Sequence, residues 1–399
     1  MANYASIVPL IGGETIAMQR VFKKEPEYIL SYEPFTNNDK HLLEYYKSVP
    51  YRLVDGDGVA SINANYVDVV NTVCPCAGLS SLSVSSSSDS TTNDWMLHTS
   101  KLVLEQIRPK VFWGENAPRL ASKMGAPVVE KLREVARENG YTFSIFKTKS
   151  LLHGLSQVRE RSFYFFWKDT RVPVFEYIQR EHKKIEDVLR SVPRDAGDPM
   201  SILANSNIPS ENAYYKYVLN ELCGGITHSE FQDKIEKTTN PLHYIEDVGK
   251  VKYDEVSKWM KKQGYEKEAA RCQVMYDKLE TGGNIMRRGP EIPKDYIGAF
   301  VGHFPNSLTH PDEDRYLTIR ECLEIMGMPR DFNLHGGKKN LNHICQNVPV
   351  STATDMANSI DAYLRNELKM LDTDFLIQDN KSKSLIYEKN GLQLDEFMV

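Results

Sequence analysis

Val67, Val69, Val70 and Val73 form a short apolar run that stops at Pro75, and no other stretch constrains the chain as much. Proline has no N–H to give to a ladder, so the run reads as a buried strand ending there, with Cys76 on the loop at its carboxyl end. In an open α/β sheet that edge is where ligands and chemistry collect. A cysteine delivered there by a rigid strand, with the small-residue loop Ala77 to Ser80 and the serine-rich Ser81 to Asn93 behind it, has the layout of a nucleophile beneath a movable lid. A buried structural cysteine is the competing reading.

Strands and helices alternate through the first 167 residues. Ser6 to Val8, the Gly12-Gly13 turn, a helix carrying Ile16, Ala17 and Phe22, the apolar patch Tyr28 to Tyr32 and finally Glu33 make the opening of a nucleotide-type βαβ unit. A carboxylate about 20 residues past the glycines is placed to accept from ribose hydroxyls, and Glu33 fits. Asp57, after the short strand that starts at Arg52, is a second acidic group on the same edge. An ordinary strand-to-helix turn explains a Gly-Gly pair equally well. Lys101 to Arg108 reads as an amphipathic helix, Val111 to Gly114 as a strand closing on Glu115, and Ala126 to Asn139 as a helix stopped by Gly140. Tyr141 to Phe146 and Ser162 to Trp167 read as strands on either side of Gln157, Arg159 and Arg161.

From Lys168 to about His310 the alternation breaks down. Charged helical pieces between Val251 and Leu279 sit among loops rich in Asn, Pro and Gly, which suits a separate recognition domain. Order returns with a helix from Ile319 to Met326, capped by Thr318 and Glu321, and a last helix from Thr352 to Leu364. The expected fold is α/β, with a catalytic sheet in residues 1–167, a smaller domain at 168–310, and 311–368 returning to the sheet. The polar tail, 369–399, is expected to pack loosely or be disordered.

With 399 residues, 41% of them hydrophobic, the chain can bury a full core without disulfides or metals. Six scattered cysteines fit a reducing interior, and Cys74 and Cys76 lack a second Cys/His pair at ligand spacing, so no metal is expected. No apolar run reaches ~18 residues and the start lacks the blocks of a signal peptide, so a cytoplasmic protein with no membrane partner is expected. A net charge of −5 excludes a uniformly basic nucleic-acid binder; if the chain binds DNA, the positive charge must be local.

Together these elements resemble the DNA cytosine-5 methyltransferase family, the bacterial and phage modification enzymes, over most of residues 6–365. Pro75-Cys76-Ala77-Gly78-Leu79-Ser80 is similar to the family's nucleophile motif, Pro-Cys followed by a short loop and Ser. Glu115-Asn116-Ala117 is similar to its Glu-Asn-Val, and Gln157, Arg159 and Arg161 match its Gln-x-Arg-x-Arg. The intervals, 39 residues from Cys76 to Glu115 and 42 from Glu115 to Gln157, agree with the family's layout. Arg315-x-Leu317-Thr318-x-Arg320-Glu321 with Gly327-x-Pro329-x-Asp331-Phe332 is similar to the block after the target-recognition domain. Ile344-Cys345-Gln346-Asn347-Val348-Pro349 is similar to the final block, usually Ile-Gly-Asn-x-Val-Pro.

The resemblance implies a Rossmann-like S-adenosylmethionine-dependent sheet with an inserted target-recognition domain. It implies S-adenosylmethionine held by Gly12, Gly13, Glu33, Asp57, Pro75, Gln346 and Asn347 and double-stranded DNA as substrate, and it leaves open whether a restriction endonuclease is a partner. Hydroxyls of Ser80, Ser81 and Ser83 are expected to donate to phosphate, and Arg287 and Arg288 to contact phosphate or guanine. The chain also departs from the pattern. Val8-Pro9-Leu10-Ile11-Gly12-Gly13 stands where the family has Phe-x-Gly-x-Gly-Gly, and Cys345-Gln346 where Gly-Asn is usual. Both changes lie where the family holds S-adenosylmethionine, which leaves open a DNA-binding relative with weak or no methylation, or one using another donor or a modified pyrimidine.

The implied chemistry asks for these groups. Carbon 5 of cytosine is a poor nucleophile until a thiolate adds to carbon 6 and turns the ring into an enamine; Cys76 is the candidate thiolate. Glu115 is the candidate carboxyl at ring N3, with burial expected to raise its pKa so that it carries a proton near neutral pH. Arg159 and Arg161 alternate with Val158 and Glu160, so on an extended segment both guanidinium groups leave one face and can hold the base carbonyl or a phosphate. None of this reaches a base inside a duplex, so the cytosine has to be flipped out.

Overall fold

The computed structural model describes residues 2–54, 65–74, 94–302, 304–389 and 392–397. Val69, Val70, Asn71 and Thr72 are buried without exception, as befits a strand covered on both faces. In chain order the strands are β1 (Tyr4–Ile7), β2 (Ile29–Ser31), β3 (Tyr51–Leu53), β4 (Val69–Thr72), β5 (Val111–Asn116), β6 (Thr142–Lys149), β7 (Glu160–Trp167), β8 (Val172–Val174), β9 (Lys369–Leu371), β10 (Phe375–Asp379), β11 (Ser384–Lys389) and β12 (Leu392–Phe397). All but β8 and β9 join one sheet in the order β3-β2-β1-β4-β5-β7-β6-β10-β11-β12. The strands from β3 to β5 in that order are parallel, β7 runs antiparallel between β5 and β6, and β10 returns parallel to β6. The chain leaves β1 toward β2 and β3, then crosses to β4 and β5 on the other side. The carboxyl ends of β1 and β4 therefore flank a topological switch point, where α/β sheets open a ligand crevice.

The helices are α1 (Gly13–Phe22), α2 (Thr36–Tyr45), α3 (Asp94–Leu102), α4 (Ala126–Asn139), α5 (Ile185–Arg190), α6 (Ala213–Tyr217), α7 (His228–Lys234), α8 (Pro241–Asp247), α9 (Tyr253–Lys262), α10 (Glu266–Glu280), α11 (Ile319–Ile325) and α12 (Val350–Leu364). The expected helix at 101–108 is the end of α3 and a π-helical turn, Val103–Ile107. α4 has the bounds its sequence predicts, and Gly140 ends it in the left-handed region at φ 74°. The capping box at α11 also forms: Glu321 N–H donates to Thr318 Oγ1 (3.2 Å) and Thr318 N–H to Glu321 Oε2 (2.8 Å). No helix among the described residues is long and apolar enough to cross a membrane.

The chain divides into two compact units, one of residues 1–182, 326–335 and 343–399, the other of 183–325 and 336–342. The first contains the sheet. The second has its own core, in which Tyr215, Phe231, Ile245, Val256 and Met260 are buried, with α9 and α10 packed as a helical hairpin. These divisions fall about 15 residues later than the sequence suggests at each crossing. β8 holds 172–174 in the first unit by pairing with β9, and Arg180 grips Asp355 of α12 through two hydrogen bonds of 3.0 and 2.7 Å. At the other crossing Arg320 is paired with Asp198, which keeps α11 in the second unit.

The tail corrects an expectation. Residues from Lys369 onward form β9, which pairs with β8, and β10 to β12, which extend the large sheet. Phe375 stacks on Phe143 of β6 at 6.1 Å, Leu376 is buried, and the Asn380 amide donates to Thr148 Oγ1 (2.9 Å) and to the Ile178 carbonyl (3.0 Å). Apolar burial and satisfied polar groups thus order a segment whose composition alone reads as polar.

Candidate active site

The crevice begins with the turn after β1. Val8 and Leu10 both adopt φ 52°, a left-handed conformation that L-residues with side chains seldom take, and Gly12 follows at φ 90°. Leu10, which stands where the family carries its first glycine, thus takes a backbone conformation that glycine adopts at little cost. Gly13 opens α1, and its amide donates to Asn347 Oδ1 at 2.9 Å. A Cβ on Gly13 would lie 2.0 Å from the Val348 carbonyl oxygen, so the residues before α12 press directly on this turn. Asn347 is buried, whereas Gln346 is exposed and accepts from Asn38 Nδ2 of α2 (2.8 Å). The carboxamide on the glycine turn therefore belongs to the residue after the one that matches the family's Asn. Cys345 is buried, which pushes its thiol up to about 12.

Glu33 is exposed at the tip of β2. Beside it, Trp95 meets Tyr32 at 4.8 Å and Phe35 edge-on at 5.2 Å between ring centroids. A turn that admits no Cβ, an exposed carboxylate and an aromatic wall fit an adenosyl group with its ribose hydroxyls. Asp57, Pro75, Cys76, Ser80, Ser81 and Ser83 lie outside the described residues.

On the other side of the switch point, Glu115 is next to last in β5 at 3% exposure, and the Arg161 guanidinium of β7 forms an ion pair with it. Arg159 and Arg161 part company. Arg159 precedes β7, is buried, and donates through Nη2 to the Cys345 carbonyl at 3.0 Å, while Arg161 faces Glu115. Their alternation does not put them on one face, because the strand starts only at Glu160. Cys74, at the end of the valine run, lies 3.2 Å from Thr72 Oγ1, and burial pushes its thiol up to about 11.

Sequence reasoning passed over Glu14, in the first turn of α1. Its side chain is wholly buried and neither carboxylate oxygen has a hydrogen-bond partner among the described residues. A charged residue within the apolar run Val8 to Met18 was the available signal. Burial, and next the nearby Glu115, hold its carboxyl well above the usual range, with Asn71 acting in the opposite direction. In the second unit Arg287 is ion-paired with Glu246, its Nη2 at 3.1 Å from Oε1, while Arg288 is exposed.

Residues 11–362 match the family model for C-5 cytosine-specific DNA methylase. The chain belongs to that family. It is a DNA cytosine-5 methyltransferase with S-adenosylmethionine as methyl donor. Among curated relatives, the type II methyltransferase M.MthTI of Methanothermobacter thermautotrophicus is 23% identical over 272 residues, covering 67% of this chain and 70% of the relative. M.FnuDI of Fusobacterium nucleatum, also a type II methyltransferase, is 32% identical over 90 residues, 21% of this chain and 26% of the relative. Among solved structures, a DNA modification methyltransferase encoded within an E. coli prophage aligns with a TM-score of 0.59 at 16% identity, over 92% of this chain and 100% of that one. The Entamoeba histolytica methyltransferase EhMeth aligns with a TM-score of 0.57 at 13% identity, over 91% and 99%. At such identities the two solved structures share the methylase's fold.

Proposed function

We propose that the methylase works through a covalent adduct between Cys76 and carbon 6 of a cytosine flipped out of the duplex, with Glu115 at ring N3. The observation that carries this reading is the buried Glu115–Arg161 pair at the carboxyl end of β5, beside the strand that leads through Cys74 to Pro75-Cys76. The Cys76 thiolate forms the sulfur–carbon 6 bond, and the ring electron pair moves to carbon 5, which would take the methyl group as its bond to the donor sulfur breaks and the sulfur keeps that electron pair, leaving S-adenosylhomocysteine. A base then takes the carbon 5 proton, and the returning electron pair expels Cys76. Bound S-adenosylmethionine supplies the methyl group. Glu115 shares a proton with N3, which lets the ring accept the thiolate, and Arg161 orients that carboxyl before the base enters. Arg159 ties the Cys345 carbonyl to the same edge.

Gly12, Gly13, Glu33, Asp57, Pro75, Gln346 and Asn347 hold the cofactor in this reading. Tyr32, Phe35 and Trp95 give the adenine the aromatic surface that Val8 does not. Residues 183–325 read the target sequence, with Arg288 as the exposed contact and Arg287 available once it leaves Glu246. Hydroxyls of Ser80, Ser81 and Ser83 donate to the backbone phosphates in this reading. Relatives named type II methyltransferases support a role in protecting DNA from a restriction endonuclease of the same specificity.

DNA carrying 5-fluorocytosine tests the adduct, since fluorine cannot leave as a proton does and the thioether persists. With S-adenosylmethionine present, the native chain should give a protein–DNA band that survives denaturation, and Cys76→Ser none. Methylated cytosine without any such band, or an equal band from the variant, removes the covalent route.

A further inference from the structure

One face of α10 is packed and the other is bare. Ala269 and Cys272 are buried, Met275, Tyr276 and Leu279 pack against the core of the second unit, and Ser257 Oγ of α9 donates to the Ala269 carbonyl at 2.9 Å. At 3.6 residues per turn the opposite side brings Lys267, Arg271, Val274 and Lys278 within roughly 60° of one another. All four are exposed, Val274 at 65%. No carboxylate stands in this stripe. Of those that flank it, Asp277 accepts from Gln273 Nε2 (3.0 Å) and Glu280 is paired with Lys252 (3.2 Å). Lys267, Arg271 and Lys278 have no ion pair among the described residues, whereas Lys258 of α9 has Asp254 one turn before it.

A helix face that only meets water gains from opposite charges four residues apart. Here Lys267 and Arg271 set like charges at that spacing, and Lys267 stands in the first turn, where the helix dipole disfavours a cation. Both placements cost the free helix and are relieved by an anionic partner. Along the axis Lys267 and Lys278 lie about 16 Å apart, comparable with the roughly 12 Å width of the DNA major groove, which admits an α-helix. In a chain of net charge −5 the attraction to phosphate has to come from such a stripe. We propose that α10 is the groove-reading helix of the second unit. Lys267 and Lys278 take phosphates on the two sides of the major groove, Arg271 donates to O6 and N7 of one guanine, and Val274 packs over the neighbouring base edge. This rests on the reading of residues 183–325 as the part that reads the target sequence.

Methylation of a duplex library randomised around the cytosine, mapped by bisulfite sequencing, tests the assignment with the native chain and Arg271→Ala. The variant should lose discrimination at one guanine by about fivefold to a hundredfold and keep the other positions. Replacing both Lys267 and Lys278 by Ala should keep the sequence preference and weaken binding, with the slope of log affinity against log salt shallower by about 2 in fluorescence anisotropy. Either a native guanine preference in Arg271→Ala or a native salt slope in the double lysine variant overturns the proposal. Photocross-linking of the native chain to duplex carrying 5-bromouracil, followed by peptide mapping, tells two failures apart. Adducts on α10 support the proposal. Adducts within 183–325 but off α10 overturn the helix alone, and adducts confined to the rest of the chain overturn the reading of that unit as well.

Discussion

Asn347 Oδ1 accepts the Gly13 amide at 2.9 Å, a bond between residues 334 apart in sequence. It makes the glycine turn and the residues before α12 one structural piece, so the proposed cofactor side of the site is complete only when the distal end of the chain has folded onto β1.

Asn347→Ala should leave a buried N–H without an acceptor, costing about 1–3 kcal/mol. Urea unfolding should report that loss, and calorimetry with S-adenosylhomocysteine should show weaker binding. Unchanged values in both would mean that the bond contributes nothing.

Gly13→Ala places a methyl group 2.0 Å from a backbone oxygen that cannot turn aside, whereas Gly140→Ala meets open space and bears only a left-handed backbone. The second change should cost about 1–2 kcal/mol and spare methyl transfer. The first should cost about 1–3 kcal/mol or more and abolish S-adenosylhomocysteine binding. Equal effects on binding would argue against the close packing at Val348.

Arg161→Ala strips the partner from a buried carboxylate, an act that typically costs about 3–5 kcal/mol. Methyl transfer should fall at least about a hundredfold, by the scale of a lost acid–base or orienting group. Arg161→Lys, which keeps the charge, should recover part of the stability. Full activity in Arg161→Ala, measured by label incorporation, would remove the pair from the mechanism.

Stability should also depend on pH through His41. Its Nδ1 accepts the His335 backbone N–H at 2.9 Å, so the ring proton is on Nε2 and is donated to His343 Nδ1 at 2.7 Å. Burial first, then the neighbouring His343 and His335, push His41 down from 6.5 to about 3. The unfolded chain then takes up the proton first. Stability from this group is complete above about 6.5 and declines toward about 3, by up to about 1.4 kcal/mol per pH unit. Urea midpoints at three pH values from 7.5 downward should show the slope, and His41→Gln should flatten it.

Local signals were legible where sequence neighbours decide the outcome. The valine run makes β4, Gly140 ends α4, and Thr318 with Glu321 caps α11, each within a few residues. What escaped the sequence depends on distant partners. Arg159 turns away from Arg161 because the Cys345 carbonyl, 186 residues on, accepts from it. Glu14 is interpretable only once α1 is seated on β1 and β4, which bury it. The tail reads as polar until Phe143 and Thr148 supply its contacts.

The pairing of β10 with β6 bears on how the enzyme tolerates shortening. Removing everything after Lys369 as dispensable would strip β6 of its outer neighbour and bare a row of unsatisfied amides and carbonyls beside Phe143 and Ile145. Such a border invites a like strand from another molecule, so a trimmed chain should be lost to self-association before its catalytic residues are ever put to use.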